Sequence, residues 1–198
     1  MKIGVLALQG DFREHVQMLQ GLGVDAVEVR LPSELASVDG LIIPGGESTT
    51  IGKLLRTFDL MEPLRRRISE GMPVYGTCAG AIVLAKGVEA KGVDQPVLGM
   101  MDVQVRRNAF GRQVDSFEAE VPIAALGDRP YHAVFIRAPV IEKLGPEVEV
   151  LGRLDDGTIV AAKQGNLLAT SFHPELTADG RFHAYFARLV EASRATPV

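Results

Sequence analysis

The first 43 residues alternate uninterrupted apolar runs with residues at helical spacing, and this alternation narrows the possible folds more than any other feature of the chain. Ile3-Gly4-Val5-Leu6-Ala7-Leu8 has no polar position. A strand with one face in water would alternate, so this run reads as a strand covered on both faces, the mark of a central parallel strand. It ends in Gln9-Gly10. Asp11 can cap a following helix, in which Phe12, Val16, Leu19 and Leu22 recur on one side and Gly23 can close the last turn. Residues 25–30 alternate weakly and predict a second strand, residues 32–36 a turn or short helix, and Asp39-Gly40 introduces a third buried strand, Leu41-Ile42-Ile43. Strand, helix and strand in so short a span predict a doubly wound α/β fold. Its form is a three-layer open sheet, mostly parallel, with helices on both faces.

Further along, Ile51, Leu54, Leu55 and Phe58 form one helical stripe, and Met61, Leu64 and Ile68 form another, closed by Gly71. Pro73 then starts a strand through Val74-Tyr75. Residues 86–98 are rich in glycine and polar side chains and read as a loop. From residue 99 to about 170 short strands predominate. Residues 102–106, 117–121 and 147–151 alternate, and Ala133-Val134-Phe135-Ile136 is apolar. The turn signals Asp156-Gly157 and Gly165-Asn166 flank Thr158-Ile159-Val160-Ala161-Ala162, with Leu167-Leu168-Ala169-Thr170 beyond. This half predicts an antiparallel or mixed extension of the same sheet. A last helix is expected over residues 181–191, with Phe182, Tyr185, Phe186, Leu189 and Val190 on one side. With 198 residues the chain is long enough for one sizeable core, read here as a single domain over 1–192 with a flexible tail over 193–198.

Composition closes off several classes of function. Hydrophobic residues make up 46% and charged residues 23%, the balance of an ordinary globular chain. The net charge of −4 gives no electrostatic case for nucleic acid, and Arg65-Arg66-Arg67, flanked by Glu62 and Glu70, reads as a solvated helix face. No segment approaches the ~18 apolar residues of a membrane span. The run at residues 3–8 is too short for a signal peptide and lacks a cleavage pattern. A single cysteine excludes an internal disulfide and fits a reducing compartment, so the cytoplasm is expected.

That cysteine lies in Gly76-Thr77-Cys78-Ala79-Gly80, between the short strand and the helix formers Ala81-Ile82-Val83-Leu84-Ala85. Strand, sharp turn and helix with the thiol at the apex make a cysteine form of the Gly-x-Ser-x-Gly nucleophile elbow. Glycines at both flanks allow the close approach such a turn needs. A helix beginning just after Cys78 favours the thiolate, and the backbone N–H of Ala79 would face an oxyanion formed on an acyl group held by sulfur. A lone cysteine is more often a buried structural residue, so the elbow needs a base. Of the four histidines, His15 and His183 fall in helical patterns and His132 begins a strand. These three read as surface or structural residues, and none sits at metal-ligand spacing. His173 differs. It follows an apolar strand in Ser171-Phe172-His173-Pro174-Glu175, where Pro174 favours an extended backbone. In an extended chain Glu175 falls on the same side as His173, where a carboxylate can fix the imidazole tautomer while the other nitrogen faces a thiol. Cysteine, histidine and an orienting acid would then form a nucleophile–base–orienter set. Pro44-Gly45-Gly46-Glu47-Ser48-Thr49-Thr50 puts two glycines at the carboxyl end of the third strand, where open α/β sheets bind ligands. A plain turn before a helix capped by Ser48 or Thr49 is the alternative.

The elbow together with His173-Pro174-Glu175 resembles the class I, triad-type glutamine amidotransferases, which hydrolyse glutamine to glutamate and ammonia. Within that class the resemblance narrows to the glutaminase subunits of pyridoxal 5'-phosphate synthase. It is carried by Leu8-Gln9-Gly10 with Glu14-His15, the Pro44–Thr50 stretch, Arg107-Asn108-Ala109-Phe110-Gly111-Arg112-Gln113-Val114-Asp115-Ser116-Phe117, Phe135-Ile136-Arg137-Ala138-Pro139 and the histidine motif. The resemblance implies a flavodoxin-like fold of the class I type and no cofactor. It implies that Cys78 attacks the glutamine amide, that His173 moves protons and that Glu175 orients His173. It implies an oxyanion hole from the backbone N–H groups of Gly46 and Ala79, and contacts to L-glutamine from Gly46, Glu47, Ser48, Arg107, Ile136 and Arg137. Arg107 suits a carboxylate as a two-pronged donor, although a surface ion pair is the plainer reading of its sequence. The implied partner is a synthase subunit that builds pyridoxal phosphate from a pentose phosphate, a triose phosphate and the ammonia. A glutaminase serving another synthase, a cysteine peptidase and a non-catalytic scaffold are the competing readings.

Overall fold

The computed structural model describes residues 1–89, 94–107 and 116–195. The first half alternates β1 (Lys2–Leu6), α1 (Phe12–Gly21), β2 (Asp25–Val29), α2 (Pro32–Leu35), β3 (Gly40–Ile43), α3 (Ser48–Thr57), α4 (Met61–Ser69), β4 (Val74–Thr77) and α5 (Ala79–Leu84). The second half is mostly strand: β5 (Ala85–Glu89), β6 (Met101–Arg106), β7 (Ser116–Val121), β8 (Tyr131–Ile136), β9 (Val140–Leu144), β10 (Glu149–Arg153), β11 (Ile159–Gln164) and β12 (Leu167–Thr170). The helix α6 (Arg181–Ala195) follows.

A ten-stranded sheet runs β2-β1-β3-β4-β12-β11-β9-β6-β5, with β10 paired to β11 beside this path. From β2 to β12 the strands are parallel, and β12-β11-β9-β6 continue the sheet antiparallel. Strands β7 and β8 form a separate antiparallel pair. Successive strand residues supply opposite cores. Val74 and Leu41 join a cluster with Ile51, Leu64 and Val83 from α3, α4 and α5. Tyr75 and Ile42 join Leu19 of α1, Phe182 and Phe186 of α6, and Tyr131 and Phe135 of β8. A sheet covered on both faces is what the unbroken apolar runs require.

Three local expectations need correction. Ala85, read as a helix former, and residues 86–89, read as a loop, form an edge strand; a water-facing edge tolerates the lysine, glycine and glutamate that hid it. Strand β9 was missed because only its first two residues are buried, so Glu142 and Lys143 mask the pattern. Helix α6 runs on to Ala195, so residues 193–195 continue the helix rather than fray. Residues 108–115 of the motif that starts at Arg107 lie outside the described residues, as do 90–93 and 196–198. Among the described residues no helix is long and apolar enough to cross a membrane.

The chain leaves β1 toward β2 on one side, while β3 pairs on the other side of β1. Such a reversal opens a crevice at the carboxyl ends of the strands. The Gln9-Gly10-Asp11 loop after β1 and the Gly45-Gly46 loop after β3 meet there. The amide N–H of Asp11 donates to the Gly45 carbonyl at 3.2 Å.

Candidate active site

Cys78 stands at the β4–α5 junction with φ 47° and ψ −104°, a left-handed conformation that costs a non-glycine residue ~1–3 kcal/mol. Its N–H donates to the Thr170 carbonyl at 2.8 Å, which ties the turn to the end of β12. The flanking glycines are needed for closeness. A β-carbon on Gly76 would lie 2.6 Å from the Gly80 carbonyl, and one on Gly80 would lie 2.0 Å from the Ile43 carbonyl oxygen. Cys78 is 6% exposed, with Sγ 3.9 Å from the Ile136 carbonyl oxygen.

Parallel pairing of β12 with β4 sets Thr170 opposite Thr77, so the residues after each strand emerge side by side. His173 follows and is buried, and its N–H donates to the Val134 carbonyl at 2.9 Å. Nδ1 of His173 lies 2.7 Å from Oε1 of Glu175. Glu175 does not reach it along an extended strand, as the sequence suggested. It sits in a 3-10 turn, Pro174–Leu176, that curls the carboxylate back under the ring. Burial alone would lower the His173 pKa, but hydrogen bonds to Cys78 and Glu175, with the charges on both, raise it to about 10. The geometry therefore favours an imidazolium beside sulfur. Burial raises the Glu175 pKa, and its bond from His173 offsets this only in part.

The opposite wall comes from the start of α3. Its cap is Glu47 rather than Ser48 or Thr49: the carboxylate accepts the N–H groups of Thr49 and Thr50 at 3.1 and 2.6 Å. Burial works against this anion, yet bonds from Thr50 and Thr49 lower its pKa to about 2. Arg107 donates to Glu47 Oε1 at 3.1 Å, to Thr49 Oγ1 at 3.0 Å and to Gln95 Oε1 at 3.1 Å. Gln95 also accepts from Ser48 Oγ at 2.7 Å and donates to the Ser48 carbonyl at 3.0 Å. Gln9 Oε1 accepts the Glu47 N–H at 2.8 Å. Arg137, with φ 44°, continues the wall beside Ile136.

A cleft of about 510 Å³ gathers Gly46, Glu47, Ser48, Cys78, Ala79, Arg107, Ile136, Arg137 and His173 on its surface, and Glu175 lies buried behind His173. Sequence reasoning named none of Gln9, Asp11 and Gln95 as a site residue; Asp11 it read as a helix cap. Gln9 stood in a quoted motif, whereas Gln95 fell in a stretch with no pattern. Asp11 does begin α1, but its side chain makes no cap; its carboxylate lies 3.6 Å from His173 Nδ1. Asp11, His173 and Glu175 could offer ligand atoms within 4.8 Å of one another. A cation there would displace the Nδ1 proton that Glu175 holds, so the cluster reads as a proton-holding set.

Residues 5–192 match the SNO glutamine amidotransferase family. The chain is 64% identical over 190 residues to the pyridoxal 5'-phosphate synthase subunit PdxT of Herpetosiphon aurantiacus, covering 96% of this chain and 100% of that one. It is 60% identical over 186 residues to the protein of the same name from Roseiflexus sp., covering 94% and 98%. A solved structure described as a glutamine amidotransferase superposes with a TM-score of 0.90 at 52% identity, covering 96% of this chain and 98% of that one. A match over nearly the whole length, joined to relatives at this identity, means that the chain belongs to the SNO glutamine amidotransferase family.

Proposed function

We propose that this chain is the glutaminase subunit of a pyridoxal 5'-phosphate synthase: it hydrolyses L-glutamine to L-glutamate and ammonia and hands the ammonia to the synthase subunit for vitamin B6 synthesis. The observation that carries the chemistry is the 2.7 Å bond from His173 to Glu175, held beside Cys78 in a cleft walled by Glu47 and Arg107. The names of the relatives support the partner.

Glutamine enters with its α-carboxylate toward Arg107 and its α-ammonium toward Glu47, which sets the side-chain amide over sulfur. The Cys78 thiolate attacks the amide carbon. The backbone N–H groups of Ala79 and Gly46 receive the oxyanion. The His173 imidazolium protonates the departing nitrogen, so ammonia leaves and a γ-glutamyl thioester remains. Neutral His173 then takes a proton from water, the hydroxide attacks the thioester carbon, and glutamate departs from sulfur. Glu175 keeps the imidazole in one tautomer throughout and stabilises its charged form. Sulfur, imidazole and water supply every bond made, so the hydrolysis calls for no cofactor. Residues 1–192 act as one glutaminase domain, and a free nucleophilic thiol suits the reducing cytoplasm.

The test is glutamate release by the chain mixed with the synthase subunit, comparing the parent with Cys78→Ser. Turnover disappears in the serine variant, and a glutamine-derived electrophile labels Cys78 in the parent. Normal turnover by the serine variant, or label on another residue, overturns the reading.

A further inference from the structure

Glu175 spends one carboxylate oxygen on His173. The other, Oε2, is buried and has no hydrogen-bond partner among the described residues. A bare oxygen on a buried carboxylate is costly unless a donor supports it. Facing Oε2 at 3.3 Å is Nε2 of His15, a wholly buried residue of α1. The same nitrogen lies 3.2 Å from Oγ1 of Thr77, the elbow residue before Cys78. The second nitrogen of His15, Nδ1, lies 2.8 Å from Nε2 of His183, a wholly buried residue of α6. Two helices far apart in the chain thus each bring an imidazole to the back of the cleft, among Tyr75, Phe182 and Phe186.

The tautomers follow from these contacts. With its proton on Nδ1, His15 would aim the Nε2 lone pair at a carboxylate oxygen. With the proton on Nε2, the N–H donates to Thr77 Oγ1 at 3.2 Å, and its positive end stands beside Glu175 Oε2, 3.3 Å from the nitrogen. Nδ1 must then accept, so His183 carries its proton on Nε2 and donates it to His15. The bare lone pair is left on His183 Nδ1, which has no partner among the described residues. Both rings are neutral. Burial lowers the pKa of each, that of His183 to about 4, and the nearness of two further imidazoles, His183 and His173, disfavours a charged His15 further.

The other titratable groups around Glu175 are His173, Asp11 at the start of α1, Tyr75 on β4 and Tyr131 on β8, with Cys78 beyond His173. Burial raises the pKa of both tyrosines, so neither carries charge there. Asp11 is a second acid near His173 and supplies no donor.

We propose that His15 and His183 are positioning residues for glutamine hydrolysis: a buried pair that extends the line Cys78, His173, Glu175 by two imidazoles and keeps Glu175 ionised and aimed at His173. This rests on the triad reading above. The line of contacts is His183 to His15, His15 to Glu175, Glu175 to His173, and His173 to sulfur. The first two contacts move no proton during turnover; they set where the protons reside.

The experiment measures kcat/KM for glutamate release against pH, with the synthase subunit present, for the parent, His15→Phe, His15→Gln, His183→Leu and Glu175→Gln. Melting curves establish that each variant is folded. His15→Phe fills the space but removes the N–H. The Glu175 pKa then rises, and the acid limb of the profile moves up by about one pH unit, the effect of losing a polar N–H that stands 3.3 Å from a buried carboxylate oxygen. That is about a tenfold loss on the acid side, with roughly parental rates on the plateau. His15→Gln restores an N–H donor and returns the limb close to the parental position. His183→Leu frees the His15 tautomer and moves the limb in the same direction by less. Superimposable profiles for the parent and a folded His15→Phe overturn the proposal. So does an equal loss at every pH in both His15 variants, which marks packing and not the polar N–H beside Glu175. Should His15→Phe not fold, an unmoved limb in His183→Leu overturns it instead. Parental activity in Glu175→Gln means that the triad reading itself has failed; loss there with unchanged His15 variants means that only the extension has.

Discussion

Replacing Gly45 by alanine tests how tightly the fold holds His173. Gly45 is not among the residues with positive φ, so its backbone accepts a side chain without strain. The obstacle is the imidazole. A β-carbon on Gly45 would lie 2.4 Å from Cε1 of His173, 2.9 Å from Nδ1 and 3.4 Å from Nε2. Ordinary contact begins near 3.4 Å, so the ring must retreat by ~1 Å. Two hydrogen bonds oppose that retreat. Its Nδ1 is held by Glu175 at 2.7 Å and its backbone N–H by the Val134 carbonyl at 2.9 Å. A misplacement of about 1 Å in a catalytic group costs about 10²-fold in rate, or about 3 kcal/mol of barrier. Overpacking also lowers stability by about 1–3 kcal/mol. Steady-state glutamate release with the synthase present should show kcat for Gly45→Ala down about a hundredfold, with KM close to the parental value because Glu47 and Arg107 are untouched. Gly21→Ala is the control: at the end of α1 the added carbon meets nothing within 4 Å, and turnover should not change. A folded Gly45→Ala variant with parental kcat would refute the claim that Gly45 is small because His173 must sit where it does.

Arg107→Lys should raise KM for glutamine about ten- to a hundredfold with little change in kcat, because an ammonium cannot reproduce the planar fork; parental KM would remove Arg107 from the carboxylate site. His173 holds its proton more tightly folded than unfolded, so it stabilises the fold fully below pH 6.5, and that contribution is lost as pH rises through about 10. Urea unfolding at pH 6 and pH 10 should therefore show the stability gap between the parent and His173→Asn narrowing at the higher pH, and a widening gap would contradict the assignment. Glycine peptides rotate at low steric cost, so the Gly45-Gly46 loop has a second orientation open to it, which a docked partner can select. Titrating the chain with purified synthase should raise glutamate release by roughly 10²–10³-fold, the worth of one aligned oxyanion donor; a free chain already at the rate of the complex would rule out this gating.

The parallel half of the fold was legible in residues 3–43 because a strand covered on both faces must be apolar throughout, and that demand is local. The elbow was legible for a similar reason: Gly76 and Gly80 answer to a close approach that no other residue permits. His173 and Glu175 are two positions apart, so their partnership was visible, although a 3-10 turn and not an extended strand brings it about. Edge strand β5 and strand β9 were not legible, since their exposed positions carry charges that erase the period. Only the tertiary structure decided what the isolated polar residues do. Asp11 reads as a helix cap until the loop after β3 and the turn after β12 place His173 beside it. Gln95 has no local pattern, yet it ties Ser48 to Arg107. His15 and His183 read as ordinary helix residues and meet only when α1 and α6 pack behind the triad. A backbone period is written into neighbouring residues, whereas the role of a buried polar group depends on the atom opposite, and that atom is chosen by packing between segments distant in the chain.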